Sequence, residues 1–299
     1  MKWPWNSLLV CIALLGPAGC VAPLVQSAGE SGPSALEQLE GPVAIAVDTG
    51  AGTMLRGLHL RAAAEPPLVV LHLLPSGASV TTGMSAGIGR HGIASTLTSF
   101  ARFGCDSVVI DYRGLGDSDA PRDASALLED GRAMWRKAVE LAGGRSDRVV
   151  IRAASIGTLI AADLLAAGHH PAAVILIAPV RASTITYHGA RVHYGAVAAW
   201  FADLLYRTVP VSDLETVLAA TRVPVLLVLP DRDIYLPPVE RRLIEAAATS
   251  HRVIDYPGDH HVTVRRMWGF TIDPESMSGR ATPELIDAER EFLRRWTRR

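Results

Sequence analysis

The stretch Val149-Val150-Ile151-Arg152-Ala153-Ala154-Ser155-Ile156-Gly157-Thr158 decides the fold. Its apolar, β-branched opening reads as a buried strand. That strand runs straight into a small-x-Ser-x-Gly sequence, and an alanine-rich helical stretch, Leu159 to Ala167, follows at once. This is the layout of a nucleophile elbow, a serine held on a sharp strand-to-helix turn. Small neighbours suit the turn, because it is strained and crowds the backbone. The first N–H groups of the new helix point back at the serine, where they favour negative charge. Ser155 can also be read as a plain helix cap, and Ala153 stands where such elbows usually carry their first glycine. The rest of the chain has to choose between the two readings.

Outward from the elbow, short apolar runs alternate with helical spacing. Residues 43–48 and 54–61 read as an opening antiparallel pair. Residues 68–74 form a continuous apolar run, followed by a Gly- and Ser-rich loop and a helical pattern around 93–103. The next strand is 107–112; the next helix, 124–141, carries Leu127, Leu128, Met134, Trp135, Val139 and Leu141. Strands at 148–153 and 172–180 flank the helix after Ser155, and 225–229 and 253–256 complete the set, with 240–249 helical between them. Thr282-Pro283-Glu284 opens a final helix with a cap, a first-turn proline and an acid. Near-continuous apolar strands alternating with helices imply a mostly parallel, doubly wound α/β sheet buried on both faces. In such sheets the sites lie outside the carboxyl ends of the strands.

The polar residues at those ends resemble the α/β-hydrolase fold family at four places across residues 43–299. The elbow at Ser155 is the first. Asp111-Tyr112-Arg113-Gly114-Leu115-Gly116-Asp117-Ser118 is similar to the family's D-x-R-G-x-G-x-S stretch, a structural feature whose aspartate and arginine bind neighbouring loops. The third is Val225-Leu226-Leu227-Val228-Leu229-Pro230-Asp231-Arg232-Asp233-Ile234-Tyr235-Leu236-Pro237, where Asp233 and Pro237 match G-x-x-D-x-x-x-P and Pro230 replaces the glycine. Asp231 reads instead as a turn residue. The fourth is Tyr256-Pro257-Gly258-Asp259-His260-His261. A glycine three places before the histidine selects His261; the Asp-His form selects His260. Both stand as candidates, with His261 preferred.

The resemblance implies a helical cap inserted at about residues 181–222 and a serine hydrolase with a Ser-His-Asp triad. Asp233 would hold the histidine tautomer, and the histidine would take the proton of Ser155. The order Ser, Asp, His is the family's own. The oxyanion donors would be the N–H of Ile156 and the N–H of Leu74, in His72-Leu73-Leu74-Pro75-Ser76-Gly77. Leu73 departs from the family's His-Gly-x there, and His72 reads as structural. In the cap, Tyr187, His188, His193, Tyr194, Trp200, Phe201, Leu204, Leu205 and Tyr206 are expected mostly to pack it on the core. The implied substrate is a small-molecule ester or thioester. An acyltransferase with the same triad and a non-catalytic surface-binding lipoprotein on the same fold are the alternatives.

Composition narrows the partners. The chain has 299 residues, 49% apolar and 20% charged, with a net charge of -1. That describes a globular enzyme and argues against nucleic acid, whose phosphates need a basic surface. Cys11, Cys20 and Cys105 have neither zinc-like spacing nor the numbers of a disulfide framework. His91, His169, His170, His188, His193 and His251 show no metal-ligand spacing, and no metal or other cofactor is expected. The N-terminus has its own logic: Lys2, then the apolar run Leu8 to Leu15, then Gly16-Pro17-Ala18-Gly19-Cys20. The run is shorter than the ~20 residues of a spanning helix, so residues 1–19 read as a signal peptide. The segment resembles a bacterial lipoprotein signal, which implies a lipidated Cys20, a membrane anchor and an extracytoplasmic location in the cell envelope. Residues 20–42, rich in Ala, Ser, Gly, Pro and Glu, read as a tether.

Overall fold

A computed structural model describes residues 41–50, 52–62, 68–76, 78–80, 90–119, 121, 123, 126–197, 199–201, 212–248, 250–260 and 283–297. Eight strands form one sheet: β1 (Val43–Asp48), β2 (Met54–Leu60), β3 (Leu68–Leu73), β4 (Cys105–Ile110), β5 (Val149–Ala154), β6 (Ala173–Ile177), β7 (Val225–Pro230) and β8 (Arg252–Tyr256). Their spatial order is β1-β2-β4-β3-β5-β6-β7-β8. The β1–β2 and β2–β4 pairings are antiparallel and all others parallel. The expected mostly parallel, doubly wound α/β sheet is therefore present, with its antiparallel pair at one edge. The helices are α1 (Arg90–Arg102), α2 (Leu127–Leu141), α3 (Gly157–Ala166), α4 (Ala182–Tyr194), α5 (Leu214–Ala220), α6 (Pro238–Ala247) and α7 (Pro283–Thr297).

The central strands β3, β4, β5, β6 and β7 are buried at every residue, as strands covered on both faces must be. That continuous core leaves the carboxyl ends of the strands as the edge where polar groups can gather. β4 begins two residues before the expected 107. Asp106 stands in the buried strand because His59 Nε2 lies 2.7 Å from Asp106 Oδ2 and the Ala62 N–H donates to Asp106 Oδ1 at 2.8 Å. Cys105 beside it is buried, and burial pushes its thiol up to about 12, so it is an inert packing residue.

Between β6 and β7 the chain places α4 and α5, in the expected insertion. Arg181, just before α4, pairs with Glu215 of α5 at 2.5 Å and with Glu240 of α6 at 3.4 Å. Thr184 of α4 also donates to Glu240. The aromatic set of this region does not simply pack on the core. Tyr194 is 64% exposed and Trp200 60% exposed, and Trp200 and Phe201 pair edge-to-face at 4.9 Å instead. Leu204, Leu205 and Tyr206 lie outside the described residues, as do Cys20 and the rest of the tether to residue 40.

Candidate active site

The strand-to-helix turn takes the strained form its sequence suggests. Ser155 has φ 51°, a left-handed backbone that costs a residue with a side chain on the order of 1–3 kcal/mol. Surrounding bonds hold it there. The Ser155 N–H donates to Ile177 O at 3.0 Å, extending the β5–β6 ladder by one step. Thr158 Oγ1 donates to Ser155 O at 2.6 Å and accepts from the Val180 N–H at 3.2 Å. Ala178, beyond β6, also has a positive φ of 46°.

The Ser155 hydroxyl meets one imidazole. Ser155 Oγ lies 2.8 Å from His260 Nε2, and His260 Nδ1 lies 2.7 Å from Asp233 Oδ2. A carboxylate only accepts, so Nδ1 carries the proton and donates to Asp233, leaving Nε2 to accept from the serine hydroxyl. All three residues are buried. They follow the carboxyl ends of β5, β7 and β8, which belong to one parallel run, β5-β6-β7-β8. Of the two candidate histidines, His260 is the imidazole placed between Ser155 and Asp233. His261 lies outside the described residues.

The loop after β8 is held by bonds to the loop after β7. Gly258 N–H donates to Asp231 Oδ1 at 2.8 Å, and the Arg232 N–H donates to Gly258 O at 3.1 Å. These two bonds clamp residues 256–260 in place. Asp231 is therefore a turn anchor, and the Gly258 amide holds its carboxyl below the usual carboxylate range.

The expected oxyanion donors lie just beyond the ends of two paired strands, β5 and β3. Ile156 follows Ser155 and is buried, as is Leu74 just beyond β3. Gly157 has no room for a side chain, because a Cβ there would sit 2.6 Å from Leu73 O. The elbow and the end of β3 are thus in direct contact. Among the described residues, neither the Ile156 nor the Leu74 N–H is taken up by a protein acceptor. The Leu74 carbonyl accepts from the Tyr112 hydroxyl at 2.8 Å. Asp111 accepts from Ser79 Oγ at 2.9 Å and from the Val80 N–H at 2.7 Å. Arg113 pairs with Asp130 at 2.6 Å and Glu129 at 2.9 Å on α2. Asp111 and Arg113 so bind neighbouring segments, as the motif implied. Tyr112 is one residue the sequence reading passed over, although it sits inside the same quoted motif.

His72 is buried in β3, opposite Arg152 of β5 in the ladder. Burial, and then the Arg152 charge, hold its imidazole well below the usual histidine range. It lies 3.3 Å from Ser107 Oγ and serves the core.

A hydroxyl, an imidazole and a carboxylate in series can pass a proton from serine to histidine while the oxygen attacks an acyl carbon. A family model described as serine aminopeptidase, S33, matches residues 83–218. No curated protein sequence matches the chain. Among solved structures, the Pyrococcus furiosus esterase Pf2001 is similar with a TM-score of 0.66 at 16% identity, covering 91% of this chain and 98% of its own. An alpha-beta hydrolase from Vibrio vulnificus has a TM-score of 0.60 at 18% identity, covering 89% of this chain and 91% of its own. A CIB-like hydrolase from Thermoplasma acidophilum follows with a TM-score of 0.54 at 16% identity, covering 85% and 99%.

Proposed function

We propose that this chain, built on the α/β-hydrolase fold, cleaves a small-molecule ester or thioester through an acyl-enzyme on Ser155. The carrying observation is the Ser155–His260–Asp233 series, with 2.8 Å and 2.7 Å between its members. Ser155 Oγ attacks the acyl carbon while His260 Nε2 takes its proton. Asp233 holds the tautomer and stabilises the imidazolium that forms. The N–H groups of Ile156 and Leu74 receive the developing oxyanion. As the tetrahedral intermediate collapses, His260 gives the proton to the departing alcohol or thiol. Water then adds to the acyl-enzyme with His260 again as base, and Ser155 is released.

A fluorophosphonate probe tests the assignment, because it phosphonylates only an activated serine. Wild type should label and Ser155→Ala should not. His260→Ala should lower kcat on p-nitrophenyl acetate by about 10³-fold or more, while His261→Ala should stay within about threefold. An unlabelled wild type would remove the hydrolytic reading and leave a surface-binding one. p-Nitrophenyl esters of graded chain length would then define the acyl group.

We also propose that the enzyme works outside the cytoplasm, tethered to a membrane by lipid on Cys20. The support is the Ala18-Gly19-Cys20 sequence after an apolar run and the tether composition up to residue 42.

A further inference from the structure

We propose that Tyr235 is the positioning residue of the His260 imidazole, an inference that rests on the reading of His260 as the base. Tyr235 lies two residues beyond Asp233, and its ring centroid is 4.8 Å from that of His260 at an interplanar angle of 72°. Its backbone N–H donates to Asp233 Oδ1 at 2.8 Å, while Asp233 Oδ2 takes the His260 Nδ1 proton at 2.7 Å. One residue therefore touches both the imidazole and the carboxylate that holds it.

The wall is needed because the Asp233 bond fixes only one atom of the imidazole. About the Nδ1···Oδ2 contact the ring can still tilt, and a tilt carries Nε2 away from Ser155 Oγ. An edge-to-face neighbour favours one ring orientation and blocks the swing on its side. Tyr235 itself has backing. His188 of α4 stands 6.1 Å away at 88°, and Tyr187 meets His188 at 5.5 Å and 88°. A run of crossed rings thus leads from the inserted helix to the base. Burial and the nearby Asp233 push the Tyr235 phenol above its usual range, in keeping with a ring that serves as a neutral wall.

The test compares Tyr235→Phe with Tyr235→Leu in the full chain, using p-nitrophenyl acetate turnover and the rate of fluorophosphonate labelling. A displaced base costs up to about 10²-fold in rate, so Tyr235→Leu should lower kcat by about 10- to 100-fold with KM within about twofold. Labelling should slow by a similar factor. Tyr235→Phe keeps the ring and should stay within about threefold of wild type. In a His260→Ala background, Tyr235→Leu should change nothing further. Thermal melting checks folding, and Tyr235→Met carries the same test if the leucine variant does not fold. The proposal is overturned if Tyr235→Leu turns over normally while His260→Ala is inactive, or if Tyr235→Phe is as damaged as Tyr235→Leu. An active His260→Ala instead overturns the base assignment beneath it.

Discussion

A Cβ built on Gly157 lies 2.6 Å from Leu73 O, 2.9 Å from Leu73 C and 3.0 Å from Leu73 Cβ. Two of those three atoms are backbone, so a side chain at 157 can enter only by moving the end of β3 or the elbow itself. Either movement separates Ile156 from Leu74 and shifts Ser155. Gly157→Ala should therefore cost about 1–3 kcal/mol of stability by overpacking. It should also lower kcat by about 10- to 100-fold, since sub-ångström placement decides such rates. Urea unfolding and p-nitrophenyl acetate turnover measure the two effects, and an alanine variant normal in both would show that the contact carries no strain. Residue by residue, the sequence was legible where a local motif fixes a position along one strand, as at Ser155 and Asp233. It left His260 and His261 open, because the partners of His260 are Ser155 and Asp233, which come from other parts of the chain. Tyr235 escaped for the same reason: its partner is distant along the chain, and nothing in its own neighbours announces the contact.

Among the elements, the least expected link joins α7 to the middle of the sheet. Arg152 of β5 is 1% exposed, Glu289 of α7 is 2% exposed, and Arg152 Nε donates to Glu289 Oε1 at 2.8 Å. The guanidinium also lies 5.5 Å over the ring of Phe100 on α1. Phe292 and Leu293 of α7 are buried beside this link. Helical spacing alone made the apolar face of α7 readable, but an arginine inside an apolar strand reads from sequence as an anomaly rather than as a socket. Its partner lies 137 residues away. Burial pushes the Glu289 carboxyl above its usual range, with Arg152 pulling it back. Removing one partner strands a buried charge, so Glu289→Ala should lose about 3–5 kcal/mol. The double variant Arg152→Met, Glu289→Leu leaves no charge stranded and should regain most of that loss. Urea unfolding of the single and double variants decides it: equal losses would mean that the pair acts through packing alone. The element boundaries follow the same pattern. α6 begins at Pro238, earlier than the expected 240, because a proline suits the first helical turn. β4 begins early because His59 and the Ala62 amide satisfy Asp106.

For the whole molecule, the balance between folded and unfolded chains depends on pH through groups that change their proton affinity on folding. His72 is fully buried opposite Arg152, and its folded pKa lies well below the 6.5 of an unfolded histidine. Above that value both states hold it neutral, and it contributes no pH dependence. As pH falls below it, the unfolded chain takes up a proton that the folded chain refuses. Stability therefore declines on acidification, at up to about 1.4 kcal/mol per pH unit, until the lowered folded pKa is reached. Glu289 acts with the opposite sign. Its folded pKa is raised, so its contribution is full below the unfolded carboxyl value and is lost as pH rises through the folded one. The wild-type curve mixes both groups, whereas the difference between wild type and His72→Asn isolates the histidine. Unfolding by urea at about pH 7.5, 6.5, 5.5 and 4.5 should show wild type losing stability faster than the variant below about 6.5, and the two running parallel above it. Parallel curves throughout would mean that the core takes up the His72 proton as readily as water does. The outcome also bears on β3, the strand that carries His72 two residues before Leu74. An acid-sensitive His72 would make the β3 end, and with it the proposed oxyanion donor, an early loss on acidification. Labelling of Ser155 by a fluorophosphonate should then fall over the same pH window in wild type more steeply than in His72→Asn.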